Sequence, residues 1–131
     1  MTVAVDTNIV VRLIVADDAN QLALVADLMS NHDIFIPLTV LLETQWVLRS
    51  RYDYSHQAVA NAFSGLASLE HVVLEGGAIT SWAISRYLDG ADLADMLHLA
   101  ACDEGVSFAT FDRKLAGAAG PKASTLIMTL R

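Results

Sequence analysis

Four carboxylates stand alone in apolar stretches of the chain: Asp6, Glu43, Asp95 and Asp112. Asp6 is the only charged residue in positions 1–11, and Glu43 is the only one in positions 34–48. A carboxylate in apolar surroundings is costly unless it is paired or binds a metal ion. Only Asp112 has a basic residue within one helical turn of sequence. The set therefore indicates chemistry that depends on negative charge.

Each carboxylate also has an ordinary structural role open to it. Asp6 can begin a turn after a strand, and Asp112 can cap the turn that follows it. Glu43 is flanked by large apolar residues and has few routes to water, so a buried salt bridge with a distant arginine is its alternative. Asp92, three residues before Asp95, is favoured as the N-cap of a helix because of its side chain and the helix dipole.

The elements that would position these residues are short β-rich runs alternating with longer helical stretches. Strands are predicted at 2–5, 33–36, 71–74, 106–109 and 125–128, and helices at 8–14, 18–30, 39–51, 55–69, 78–87 and 92–105. The predicted helix N-caps include Asp18, Thr39, Ser55 and Asp92. This alternation predicts a single α/β domain, with a central parallel sheet of four to five strands and helices on both faces.

The predicted sheet would bring the four carboxylates together. The carboxyl ends of parallel strands meet at one edge, and the active crevice of an α/β fold lies outside that edge. Converging acids repel and raise one another's pKa values, and a divalent cation removes that conflict. All-oxygen ligands favour Mg²⁺ or Mn²⁺ over zinc, and Mg²⁺ commonly binds a few carboxylates together with a substrate phosphate. The sequence therefore predicts a metal-assisted phosphoryl-transfer site.

The composition excludes several classes of protein. With 15 Asp and Glu against 8 Lys and Arg, the formal net charge of −7 argues against nonspecific gripping of nucleic acid by its phosphates. A hydrophobic content of 54% argues against disorder. No apolar run approaches the roughly 18 residues of a membrane span, and the N-terminus does not read as a signal peptide. Cys102 is the only cysteine, which excludes an internal disulfide and favours a cytoplasmic location.

The motifs around the acids resemble those of the PIN-domain nucleases. The resemblance is carried by Asp6-Thr7-Asn8 after the first strand, Glu43 in the helix after the second, the stretch 91–100 and Thr110-Phe111-Asp112. It spans essentially the whole chain, residues 1–131, as one domain. The length and the lack of appendages resemble the toxin of a VapBC-type toxin–antitoxin pair.

The resemblance implies an endoribonuclease that depends on Mg²⁺, with Mn²⁺ as its substitute. The residues that match the family's catalytic and metal-binding quartet are Asp6, Glu43, Asp95 and Asp112. Asn8 and Thr110 match positions that support the quartet by hydrogen bonding, and Asp92 becomes a cap or an outer partner. The resemblance also implies a homodimer, inhibition by a cognate antitoxin protein, and a heterotetramer or larger assembly with that antitoxin.

Residues outside the motifs receive simpler interpretations. Arg113 and Lys114 are candidates for RNA phosphate contacts, with a solvated charge pair as the alternative. The further candidates, which the sequence does not rank, are Arg12, Arg49, Arg51 and Arg86. His98 is expected to be a structural residue of its helix rather than a part of the site. Trp46 and Trp82 are expected in the core, and the stretch 117–121 is expected to be a flexible loop.

Two functions of other classes stand beside the nuclease. A phosphoacceptor receiver-type signalling domain has a similar length and an acidic pocket, but it requires an Asp after the third strand, where Glu75 stands. A PIN-like fold kept only as a protein-binding module would be indicated by lost carboxylates, and all four are present. A haloacid-dehalogenase-type phosphatase requires a second Asp at the position of Asn8.

Overall fold

A computed structural model describes all 131 residues as five strands and seven helices. The strands are β1 (Thr2–Ala4), β2 (Asp33–Ile36), β3 (Val72–Leu74), β4 (Phe108–Thr110) and β5 (Ile127–Thr129). The helices are α1 (Thr7–Val15), α2 (Ala19–Asn31), α3 (Leu38–Arg51), α4 (His56–Ala67), α5 (Ala78–Leu88), α6 (Leu93–Ala100) and α7 (Leu115–Ala119). This order confirms the predicted α/β fold class.

The five strands form two separate parallel sheets rather than the predicted central sheet of four to five strands. β2 lies between β1 and β3, with Val3 beside Ile34 and Ile34 beside Val72. β4 pairs with β5 alone, with Ala109 beside Met128. No ladder joins β1 to β4. Strands of three residues are at the short end of the usual range, and they offer few backbone groups to a second neighbour, so the sheet divides there.

The two faces of the three-stranded sheet are covered unequally. Ile34, Ile36, Val72 and Leu74 point to one face and belong to a core cluster of 22 buried residues. On the opposite face, Val73 is 54% exposed. Helices therefore cover one face more completely than the other.

Local sequence determines most element boundaries. Asp18 and Ser55 cap α2 and α4 by accepting hydrogen bonds from the backbone N–H two or three residues into each helix, at 3.0 and 3.1 Å. Thr39 does not cap α3, because this helix begins at Leu38, directly after Pro37. No helix is long and apolar enough to cross a membrane.

Several boundaries near the C-terminus differ from the prediction, and β4 and β5 each begin two residues later than predicted. α6 ends at Ala100 instead of 105, and the residues that follow form turns up to Gly105, whose φ is +83°. The predicted loop at 117–121 is wrong for its first three residues, which belong to α7. Burial of Leu115 and Ala119 on one side of α7 stabilises this short helix despite the glycine inside it.

Candidate active site

Asp6 lies where β1 ends and α1 begins. Its backbone is extended, and its Oδ1 accepts a hydrogen bond of 3.2 Å from the backbone N–H of Ile9. Asp6 is therefore the N-cap of α1, which is the turn-forming role that the sequence left open. A capping carboxylate uses one oxygen for the helix, so the second oxygen at this exposed position stays available to a ligand.

Glu43 lies in the second turn of α3 and is held by a residue of α1. The hydroxyl of Thr7, which is 7% exposed, donates a hydrogen bond to Glu43 Oε1. Glu43 itself is exposed, so the expectation that it has few routes to water is wrong. The reason is that α3 buries the face that carries Leu41, Thr44 and Leu48, and Glu43 lies off that face.

Asp95 lies in the first turn of α6, and Asp92 is the N-cap of that helix. The backbone N–H of Asp95 donates to Asp92 Oδ2 at 3.0 Å, as the capping prediction requires. Burial raises the pKa of the Asp95 carboxyl, and the negative charges of Asp92 and Asp112 raise it further. The electrostatic interaction with His98 lowers the pKa of the Asp95 carboxyl. These effects place Asp95 within the electrostatic reach of two other acids.

Asp112 follows β4 in a tight polar turn. Its backbone N–H donates to the Thr110 hydroxyl at 3.0 Å, and its Oδ1 accepts from the backbone N–H of Lys114 at 2.9 Å. Asp112 therefore does cap the turn that follows it. Thr110 fixes the backbone of the same turn from the end of the strand.

The contacts place the four acids in two groups, Asp6 with Glu43 and Asp95 with Asp112, rather than in one cluster. Asp92, Asp95 and Asp112 interact electrostatically, and Glu43 lines a pocket with Ala94, the residue before Asp95. Asp6 precedes Thr7, the partner of Glu43. No three His, Cys, Asp or Glu side chains stand close enough to hold one ion between them.

The donor set nevertheless fits a hard divalent cation. Every candidate ligand is a carboxylate oxygen, and the mutual repulsion at Asp95 is the conflict that a cation relieves. Mg²⁺ usually keeps several waters and binds through one or two carboxylates plus substrate phosphate, so a cage of three close side chains is not required. The residues that would hold it are Asp95 with Asp112, together with Glu43 and Asp6.

Asn8 lies beside Asp6 on a groove between α1 and α2. The groove has a volume of about 430 Å³, and its lining includes Arg12, Gln21 and Leu24. The guanidinium of Arg12 is already engaged there, at 2.6 Å from Asp17 and 2.6 Å from Gln21. The hydrogen bond with Tyr52 is the main cause of the raised pKa of the Arg12 guanidinium. Arg12 thus joins helices and is a poor candidate for phosphate contact.

The other basic side chains are engaged to different degrees. Arg86 donates to the backbone oxygen of Ala118 at 2.8 Å, which ties α5 to α7. Arg49 donates to the backbone oxygen of Tyr54 at 3.1 Å and lines a pocket. Arg113 and Lys114 are exposed at the start of α7, next to Asp112. His98 stacks on Phe108, with ring centroids 6.4 Å apart.

Sequence reasoning missed two residues beside these acids. Thr7 was named only as part of the Asp6-Thr7-Asn8 motif and was given no role, because its partner Glu43 is 36 positions away and nothing local signals the contact. Trp46 was expected in the core, but it is 59% exposed and lines the pocket that contains Glu43. Its spacing of three from Glu43 could have placed it on the same side of α3. Trp82 is half-buried, in contact with the core.

The chain that carries these carboxylates matches a known family of domains. A family model described as the PIN domain matches residues 3–121, and the chain belongs to this family. PIN domains are generally metal-dependent nucleases. Searches of curated proteins and of solved structures found no significant match to this chain.

Proposed function

We propose that this protein is an endoribonuclease that depends on a divalent cation, Mg²⁺ or Mn²⁺, and acts as the toxin of a VapBC-type toxin–antitoxin pair. The observation that carries the nuclease proposal is the position of Asp95 in a PIN domain, where burial and then the neighbouring charges of Asp92 and Asp112 raise the pKa of its carboxyl. Such crowding of acids destabilises the metal-free folded protein and favours cation binding.

The proposed quartet is Asp6, Glu43, Asp95 and Asp112. A divalent cation held there would lower the pKa of a bound water and neutralise charge on the scissile phosphate. The chain's own part is to present carboxylate oxygens in fixed positions. Thr7 orients Glu43, and Asp92 caps the helix that carries Asp95. In-line attack by water leaves a 5′-phosphate and a 3′-hydroxyl, and no histidine base is needed.

The partner proposals are a homodimer and an antitoxin protein. Several large apolar side chains are solvent-exposed, among them Leu24 at 73%, Phe111 at 79% and Leu126 at 70%. Exposed apolar surface on this scale is typical of interaction sites. The net charge of −7 suits an antitoxin segment that carries basic residues. A heterotetramer or larger assembly would use both kinds of contact.

RNA cleavage by the purified protein tests this function. We expect cleavage with Mg²⁺, none with EDTA, and loss of at least about a hundredfold in rate for Asp6→Asn, because a removed ligand weakens both cation binding and charge stabilisation. Asp27→Asn is the matched control, since Asp27 is exposed on α2 and its carboxylate makes no hydrogen bond. Cleavage that persists in EDTA, or an unimpaired Asp6→Asn protein, would overturn the proposal.

No observation favours the other two functions. The receiver-type signalling domain is not supported, because the family match is to the PIN domain. A binding module without catalysis predicts no cleavage by the wild-type protein, so the same assay separates it from the nuclease.

A further inference from the structure

We infer that the pocket beside Glu43 binds an unpaired nucleobase of the substrate, stacked on the indole of Trp46. This inference rests on the proposed ribonuclease function and adds a binding subsite to it. Trp46 is 59% exposed in the middle of α3. Its indole lines the same pocket as Glu43, where its aromatic face is available to stack on an unpaired base.

The pocket adjoins the acids directly. Glu43 and Trp46 are three positions apart on α3, which places them on neighbouring turns of one helix surface. The opposite wall is Ala94 of α6, which precedes Asp95. An RNA whose phosphate lies at the acids therefore has an adjacent base within reach of the indole.

The lining of the pocket matches a base rather than a phosphate. Its volume is about 480 Å³, and its walls include the apolar side chains of Leu42, Trp46 and Ala94. Thr39 and Gln45 add a hydroxyl and an amide, which can hydrogen-bond to the polar edge of a base. No basic side chain lines it. Unpaired bases are recognised by stacking on aromatic rings, whereas bases in a duplex have covered faces.

A second pocket continues the surface and contains a basic side chain that can contact the RNA backbone. It has a volume of about 320 Å³, and its lining includes Arg49 and His56 as well as the acidic Asp92. Gln45 lines both pockets, so the two pockets are neighbours. A strand with one base on Trp46 could place its next phosphate near Arg49, which lies three residues further along α3. The occupant with this combination of a flat apolar face and an adjacent negative charge is a nucleotide.

Fluorescence of Trp46 provides the direct test. The protein carries Asp6→Asn to prevent cleavage and Trp82→Phe to leave one tryptophan. Trp82 tolerates this change because its buried Nε1 has no hydrogen-bond partner to lose. Titration with a short single-stranded RNA should quench Trp46, and the same RNA in a duplex should quench it far less. A single-stranded RNA that binds without changing Trp46 emission would overturn the inference, and so would the absence of any binding.

Steady-state kinetics give an independent test in the otherwise unmodified protein. Trp46→Ala should raise KM by about tenfold with little change in kcat, because base–aromatic stacking typically contributes that much to binding. Trp46→Phe should retain most of the affinity, since it keeps an aromatic face. Wild-type cleavage with an unaltered KM in Trp46→Ala would refute this subsite and leave the nuclease function standing.

A second copy of the chain is the other occupant that could cover Trp46. The mass of wild-type and Trp46→Ala proteins in solution, measured by light scattering, separates the two cases. Conversion of a dimer to a monomer with unchanged RNA affinity per chain would assign Trp46 to a dimer interface and overturn the inference. An unchanged mass together with the raised KM supports the base subsite.

Discussion

The hydroxyl of Thr7 donates a hydrogen bond to the carboxylate of Glu43, and this contact joins α1 to α3. It links two residues that follow neighbouring parallel strands, because α1 comes after β1 and α3 comes after β2. The buried hydroxyl fixes one oxygen of an otherwise exposed carboxylate. Thr7 is therefore a positioning residue for the proposed cation site.

Replacement of Thr7 by Val should weaken the site without unfolding the protein. Valine keeps the shape but removes the donor, so Glu43 loses its fixed orientation. The Mg²⁺ concentration for half-maximal cleavage should rise severalfold, while stability should change by about 1 kcal/mol, the usual net value of one hydrogen bond. Thr7→Ser restores the hydroxyl and should restore the Mg²⁺ requirement. Equal Mg²⁺ dependence in all three proteins would show that this contact is only structural.

The raised pKa of Asp95 predicts a pH dependence for the metal-free protein. A carboxyl whose pKa is higher in the folded state than in the unfolded state stabilises the fold when protonated, and this stabilisation is lost as the pH rises through the folded-state pKa. In EDTA, Asp95→Asn should therefore melt at a higher temperature than wild type at neutral pH. The difference should shrink as the pH falls below the ordinary Asp range. A difference in Tm that does not vary with pH would contradict the prediction.

Replacement of Asp92 by Asn isolates the repulsion between neighbouring acids. Asparagine is as good an N-cap as aspartate, so α6 should stay intact while one negative charge disappears. The pKa of Asp95 should fall, because the charge of Asp92 is one cause of its elevation. The acid limb of the pH–rate profile should move to lower pH. Asp103→Asn, a change at an exposed acid in a turn outside the site, is the control and should leave that limb unmoved.

Local signals in the sequence predicted the elements that carry the acids. Asp6 and Asp112 each follow a strand, and Asp92 precedes an apolar helical run, so their places at strand ends and at a helix N-cap could be predicted. Patterns of this kind depend on neighbouring residues in the chain. They placed these acids at strand ends and at a helix N-cap, whereas the grouping of the acids into one site stays a prediction.

Contacts between distant segments could not be predicted in the same way. The exposure of Glu43 and Trp46 depends on which face of α3 packs against its neighbours. The apolar and polar residues of α3 are spread so evenly around the helix that the sequence does not show which face is buried. The division between β1 and β4 likewise depends on how few residues each short strand contributes. Both features arise from packing between elements rather than from propensity within them.

The most direct test of the proposed cation site is the number of Mn²⁺ ions bound per chain, counted by electron paramagnetic resonance as free Mn²⁺ is lost from solution. Wild-type protein should bind one or two ions, and Asp27→Asn should bind the same number. Asp95→Asn should lose at least one of them, because the crowded acids around Asp95 are the reason for cation binding. If Asp95→Asn binds as many ions as wild type, or if wild type cleaves RNA without binding any, the acids at this edge are not the metal site of a nuclease.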